Sequence, residues 1–289
     1  MRRSAGTEPR PGRAGQGGGD RVKACDSHLH IYDARFTPAP GATVPSGMTL
    51  DDYLSVRAAY GTQRAVLVQA KVFGTDNACL VDALTRLGED GRGIAVVDPS
   101  ITDDALADLH AAGVRGLRFS LWNAANAVVQ PDDIARMAAR IAPLGWHVQL
   151  HMHADQTAAS ADLLTSLPCP MVFDHMGRLP AGSVPQVHPA FDLIKGLARD
   201  GRAWVKLSGP YLNRRPGQND DPRRMARAWT AAIPDRLVWG SDWPHITEQP
   251  APPAPGAIAA TLTDWCDNDP TLIERIARHT PALLYDFRP

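Results

Sequence analysis

The sequence predicts a single (β/α)8 barrel, and three observations carry that prediction. Short β-rich runs recur along the chain, each is followed by a loop and then a longer helical pattern, and there are eight of them. Mostly apolar strands that alternate with helices form a parallel sheet covered on its outer face, and eight such units close on themselves. The competing doubly wound sheet lacks support, because no G-x-G-x-x-G follows the first run. A chain of 289 residues is long enough for two ordinary domains, but barrels of this kind use about 250 residues as one.

The strand runs are 22–28 (VKACDSH), 64–70 (RAVLVQA), 93–99 (GIAVVDP), 114–120 (VRGLRFS), 147–153 (HVQLHMH), 170–175 (PMVFDH), 203–209 (AWVKLSG) and 236–242 (RLVWGSD). Helix patterns lie between them at 76–88, 102–113, 131–145, 157–167, 188–201 and 221–233. Several begin at Asp, Thr or Pro and end at Gly, as capping chemistry favours. The connection 36–61 is longer than the others and is expected to cover the barrel mouth. The Pro-rich QPAPPAPG is expected to be an extended surface loop.

Composition narrows the function classes. Hydrophobic residues make up 44% and charged residues 21%, as in a globular protein with a large core. The formal net charge of -1 offers no basic excess for nucleic acid or anionic lipid. Cys25, Cys79, Cys169 and Cys266 are scattered with no C-x-x-C pair, which argues against a zinc ribbon or a disulfide framework and for a reducing, cytoplasmic setting. Residues 1–21 are basic and Gly-rich with no apolar run behind them, so a disordered tail is expected there and the barrel over 22–289. No segment approaches the roughly 18 apolar residues of a membrane span.

The chemistry gathers at strand ends. Side chains two apart on a strand point the same way, so His28 and His30 of CDSHLHIYD project together at the C-terminal end of the first strand, where barrel active sites lie. Lys71 follows the second strand, Arg118 lies in the fourth, His151 and His153 end the fifth, and His175 and Arg178 end the sixth. Ser208 and Tyr211 close the seventh, and Asp242 closes the eighth. A lone polar residue at a strand end is more often structural than catalytic, and Ser208 is expected to bond to neighbouring backbone. His110, His147, His188 and His279 are expected at the surface, and His153 further out in its loop. An H-x-H pair, a sixth-strand His and an eighth-strand Asp together are hard to obtain from packing alone.

DSHLH, LVQAKVFGTDN, FDHMGR, VKLSGPY, VWGSDWPH and TPALLYDF together resemble the amidohydrolase superfamily, in particular its lactonase branch, typified by 2-pyrone-4,6-dicarboxylate hydrolase. The resemblance runs from about Ala24 to the C-terminus. It implies hydrolysis of a small anionic lactone, with Asp242 as the general base and His28, His30 and His175 around the scissile carbonyl. It also implies that Arg118 and Arg178 hold substrate carboxylates, a task that suits a planar guanidinium; Lys71, His151 and Tyr211, at the same rim, are further substrate-binding candidates. There are departures. His151 stands where the pyrone hydrolases carry a tyrosine and metal-dependent decarboxylases a ligand histidine, Lys71 stands in place of a small hydroxyl residue, and a third arginine must be Arg214 or Arg215 or be missing.

An ordinary aspartate, with a pKa near 4, is too weak a base to deprotonate water at neutral pH. Either one divalent metal, zinc or manganese, assists from among His28, His30, His151, His175 and Asp242, or burial raises the Asp242 pKa and no cofactor is required. The rival readings are a metal-dependent decarboxylase of the aminocarboxymuconate semialdehyde type, for which His151 speaks, and a non-catalytic barrel binding an acidic ligand. The sequence leaves the oligomeric state open.

Overall fold

Eight strands pair in sequence order, each parallel to the next. They are β1 (Cys25–Leu29), β2 (Arg64–Val68), β3 (Gly91–Ala95), β4 (Val114–Ser120), β5 (His147–His151), β6 (Met171–Phe173), β7 (Ala203–Leu207) and β8 (Leu237–Trp239). The structure is a computed structural model and describes residues 22–123, 129–215, 218 and 220–288. The expected tail, 1–21, lies outside the described residues.

Closure comes from the chain just beyond the last strand. β8 ends at Trp239, and the segment after it bonds to β1: Asp242 N donates to His28 O at 2.8 Å and His30 N to Trp243 O at 2.8 Å. Gly240 lets this happen. A Cβ there would lie 2.6 Å from His28 Cβ and 2.7 Å from His28 N, so the last strand approaches the first only because position 240 has no side chain.

The six expected helices are all present, with one break. The 157–167 pattern becomes α5 (Ala154–Ala159) and α6 (Ala161–Ser166), divided at Ser160. The long 36–61 connection contains the first crossover helix, α1 (Leu50–Tyr60), rather than only a cover. Thr49 caps it in a reciprocal box with Asp52, and Gly61 ends it at φ 71. The described helices α2 (Ala78–Leu87), α3 (Asp103–Ala111), α4 (Pro131–Ile141), α7 (Pro189–Arg199) and α8 (Pro222–Ala232) complete the crossovers. α9 (Pro255–Trp265), α10 (Pro270–Glu274) and α11 (Thr280–Leu284) follow β8. The third strand runs over 91–95 rather than 93–99; its start at Gly91, packed against Leu84 and Leu87, lies before the apolar run begins.

Strand alternation divides the core in two. One set of strand residues packs against the helices; the other, with Val66, Val68, Ile94 and Val238, meets Tyr285 and Phe287 inside the barrel. His147 belongs to the interior rather than the surface, with its ring edge-on to Tyr285 at 5.6 Å. His110 is half-buried and accepts from Trp146 Nε1 at 2.9 Å, and His188 caps α7. His279 is exposed, as expected. No described helix is long and apolar enough to cross a membrane.

Candidate active site

A cavity of about 320 Å3 opens at the C-terminal ends of the strands, within the range of small-ligand sites. His30, Lys71, Arg118, His151, His175, Arg178 and Asp242 all line it. Two other expected site residues lie behind its wall. His28 is fully buried beneath His30, and Tyr211 directs its hydroxyl at Asp242. Arg215 is tied to Asp220 by three hydrogen bonds, and neither it nor the exposed Arg214 lines the cavity. The described cations at the mouth are therefore Lys71, Arg118 and Arg178.

His28 in β1 and His30 just beyond its end meet as alternation predicts, with Nε2 atoms 3.3 Å apart. His30 Nδ1 lies 2.9 Å from Val68 O. A carbonyl only accepts, so Nδ1 carries the proton and His30 Nε2 is bare. Burial holds His30 neutral, with its pKa lowered to about 3, and pushes His28 and His175 well below the ordinary histidine value. A bare Nε2 this close to its twin is stabilised either by a proton on His28 or by a shared cation.

Asp242 completes this group. Its Oδ1 lies 3.5 Å from His28 Nε2 and 4.0 Å from His30 Nε2. Two nitrogens each about 2.0–2.1 Å from one tetrahedral ion stand about 3.3 Å apart, so the spacing of His28, His30 and Asp242 fits one divalent cation. His28 also lies in a second, buried group with Asp174 and His175. His151 is in neither: its Nδ1 sits 3.2 Å from Ser120 Oγ and its buried Nε2 has no partner.

Burial pushes the Asp242 carboxyl up to about 7, against the hydrogen bond from Tyr211 and the charge of Arg118. Its backbone is in the left-handed region, φ 64, as are His175, Met176, Arg178 and His245. Side chains rarely adopt that conformation, and its concentration here marks a rim shaped for geometry. Gly209 supplies the matching space, since a Cβ on it would lie 2.9 Å from His175 Nδ1 and 3.1 Å from Asp242 Oδ2.

Beneath the histidines lies a charged layer that strand patterns alone did not single out. Asp174 is wholly buried and accepts from Arg118 Nε at 3.1 Å and Gln149 Nε2 at 3.2 Å, with its other oxygen 3.4 Å from His28 Nδ1. Burial opposes its charge, but His28, Arg118 and Lys206 hold the carboxyl well below the usual range. Lys206, wholly buried in β7, donates to Ser27 O at 2.8 Å and lies 3.3 Å from His28 Nδ1; burial lowers its pKa to about 8. Asp26 accepts from Ser241 N, Ser241 Oγ, His28 N and Tyr53 Oη, stapling the first strand to the last. Two signals were available in the sequence: a lysine inside the apolar run WVKL, and an aspartate sharing the strand face of His28 and His30.

Trp122 was also missed. The Arg178 guanidinium lies 3.7 Å from its ring centroid and the His153 ring stacks on it at 3.5 Å. Arg178 Nη1 donates to Leu212 O at 2.7 Å, so the arginine is held flat at the cavity wall. Burial lowers its pKa to about 10, still a cation at neutral pH.

An eight-stranded barrel with an H-x-H pair, a His after β6 and a buried Asp after β8 defines a barrel hydrolase. The chain belongs to the amidohydrolase family, whose model matches residues 25–287, and is a hydrolase of that family. It is 34% identical over 241 residues to the 2-pyrone-4,6-dicarboxylate hydrolase of Comamonas testosteroni, covering 77% of each chain. It is 32% identical over 229 residues to the 4-sulfomuconolactone hydrolase of Rhizobium radiobacter, covering 77% of this chain and 76% of that one. A crystal structure of an Agrobacterium tumefaciens protein without ligand shares the fold, with a TM-score of 0.83 and 23% identity over 93% of this chain and 97% of that one.

Proposed function

We propose that the protein hydrolyses a small carboxylated lactone, of the 2-pyrone-4,6-dicarboxylate kind or of the sugar-lactone or muconolactone kind, with Asp242 as the general base. The observation that carries this reading is Asp242 itself: a buried carboxyl lifted to about 7, with Oδ1 toward the histidine pair, in a cavity lined by three cations. The lactone hydrolases to which the chain is similar support the substrate class.

In this mechanism a water molecule attacks the ring carbonyl carbon and gives its proton to Asp242. The cationic Arg118 stabilises the developing oxyanion. The ring C–O bond breaks, the leaving oxygen takes the proton back from Asp242, and a ring-opened acid results. Arg178 and Lys71 hold carboxylates, Arg178 through its fixed plane and Lys71 as a mobile charge. A zinc or manganese ion held by His28, His30 and Asp242 would lower the pKa of bound water and polarise the carbonyl. The four cysteines are buried and unpaired, which suits a reducing cytoplasm.

A lactone panel followed with a pH indicator tests the reading. Acid release from an anionic lactone by the wild type, lost in Asp242→Asn, is the expected outcome. Normal turnover by Asp242→Asn would refute the base assignment, and carbon dioxide release in its place would point to a decarboxylase.

A further inference from the structure

The outer oxygen of the base heads a chain of hydrogen bonds that leads away from the cavity. Asp242 Oδ2 accepts from Tyr211 Oη at 2.7 Å, Tyr211 Oη lies 3.0 Å from His245 Nδ1, and His245 Nε2 lies 3.3 Å from Tyr60 Oη. A phenol has one proton, and that of Tyr211 is given to Asp242. Its oxygen must therefore accept from His245, which places the His245 proton on Nδ1. The bare Nε2 then accepts from Tyr60. This proton order satisfies every member of the chain.

The members come from separate parts of the chain. Tyr60 is the last residue of α1, with its ring 6.2 Å from that of Trp239. Tyr211 lies in the turn after β7, and His245 in the segment after β8, itself left-handed at φ 59. Neither Tyr60 nor His245 is among the residues lining the cavity.

We propose that His245 and Tyr60 are positioning residues which act through Tyr211 to fix the rotation of the Asp242 carboxylate, so that Oδ1 faces His28 and His30. The proposal rests on Asp242 being the base. The histidines cannot set that rotation themselves, since they stand 3.5 and 4.0 Å from Oδ1, beyond firm hydrogen-bond length. Among the described residues, Tyr211 makes the one short side-chain bond to the carboxylate and is itself oriented from behind by His245. A packing role alone would not require the polar ends of three side chains to meet in a single donor order.

The test is steady-state kinetics on the best lactone, using Tyr60→Phe, His245→Phe, His245→Asn, Tyr211→Phe and the His245→Phe/Tyr211→Phe double variant, with thermal melting of each. His245→Phe is expected to lower kcat by roughly 10- to 100-fold with little change in KM. His245→Asn, whose amide N–H stands in for Nδ1–H, should recover most of that loss. In the Tyr211→Phe background, His245→Phe should cost nothing further. If His245→Phe does not fold, Tyr60→Phe, which removes one oxygen, should still lower kcat a few-fold at unchanged KM. A normal kcat in His245→Phe alongside an inactive Asp242→Asn, additive losses in the double variant, or no recovery by Asn would each overturn the proposal. Normal turnover by Asp242→Asn, or no lactone turned over at all, is instead a failure of the functional reading. Crystal structures then decide the proposal: a carboxylate turned away from Tyr211 in His245→Phe supports it, and an unchanged Tyr211–Asp242 contact overturns it.

Discussion

The amide of Asp242 donates to the carbonyl of His28 at 2.8 Å, so a bond that closes the barrel also sets this carboxylate beside the histidine pair. Barrel closure and the placement of Asp242 occupy one place. Gly240 should therefore be intolerant of change. Gly240→Ala puts a methyl within 2.6 Å of His28 Cβ, and the expected result is about 1–3 kcal/mol of destabilisation with a loss of activity larger than the loss of folded protein. Urea titration and activity per folded molecule check both.

Activity should follow the ionised form of Asp242. Because burial raises its pKa to about 7, kcat/KM should fall about tenfold per pH unit well below pH 7 and level off above it. The Tyr211 hydrogen bond favours the ionised form, so Tyr211→Phe should move the acid limb to higher pH. A pH profile of the two proteins shows the sign directly.

Lys206 and Asp174 are both wholly buried, 3.9 Å apart. Removing one charge leaves the other without its full set of partners, and Lys206→Met is expected to destabilise the protein by about 3 kcal/mol or more. Lys206→Met combined with Asp174→Leu should be less damaging than the sum of the single changes. Denaturant unfolding of the three variants gives the comparison.

Arg178 and Lys71 should act on binding more than on chemistry. Arg178→Lys loses both the bidentate fork and the stack on Trp122, and KM for an anionic lactone should rise roughly 10- to 100-fold. Lys71→Met should raise it less, because the exposed Lys71 side chain works in water. An uncharged lactone should show neither change in the same assay.

One zinc or manganese ion per chain is the most that His28, His30 and Asp242 can hold together. Elemental analysis should find no more than that. Added zinc should raise the melting temperature of the wild type and not of His30→Ala; an equal shift in both would remove the metal from this place.

Much of the fold was legible because it is periodic. Eight apolar runs between capped helices report a parallel barrel without knowledge of any contact, and the rim position of His28, His30, His175 and Asp242 follows from their places at strand ends. Hidden from that reading was whatever depends on residues far apart in the chain meeting. The FDHMGR and WVKL motifs each carry half of the Asp174–Lys206 pair, and nothing local tells one of the other. Trp122 and Arg178 are 56 positions apart and touch only because β4 and β6 end on the same rim. His147, expected at the surface, lies instead against Tyr285, which the chain returns to the barrel interior after β8.

The sequence by itself determined the barrel, the family resemblance and the residue types at the rim, since alternation and capping are short-range and each element states its own. Only the tertiary structure decided which oxygen of Asp242 faces the histidines and which is held by Tyr211, that His151 stands apart from the metal-sized group, and that burial lifts Asp242 to about 7. Orientation and desolvation are properties of a packed surround, and eight strand ends must come together before either exists.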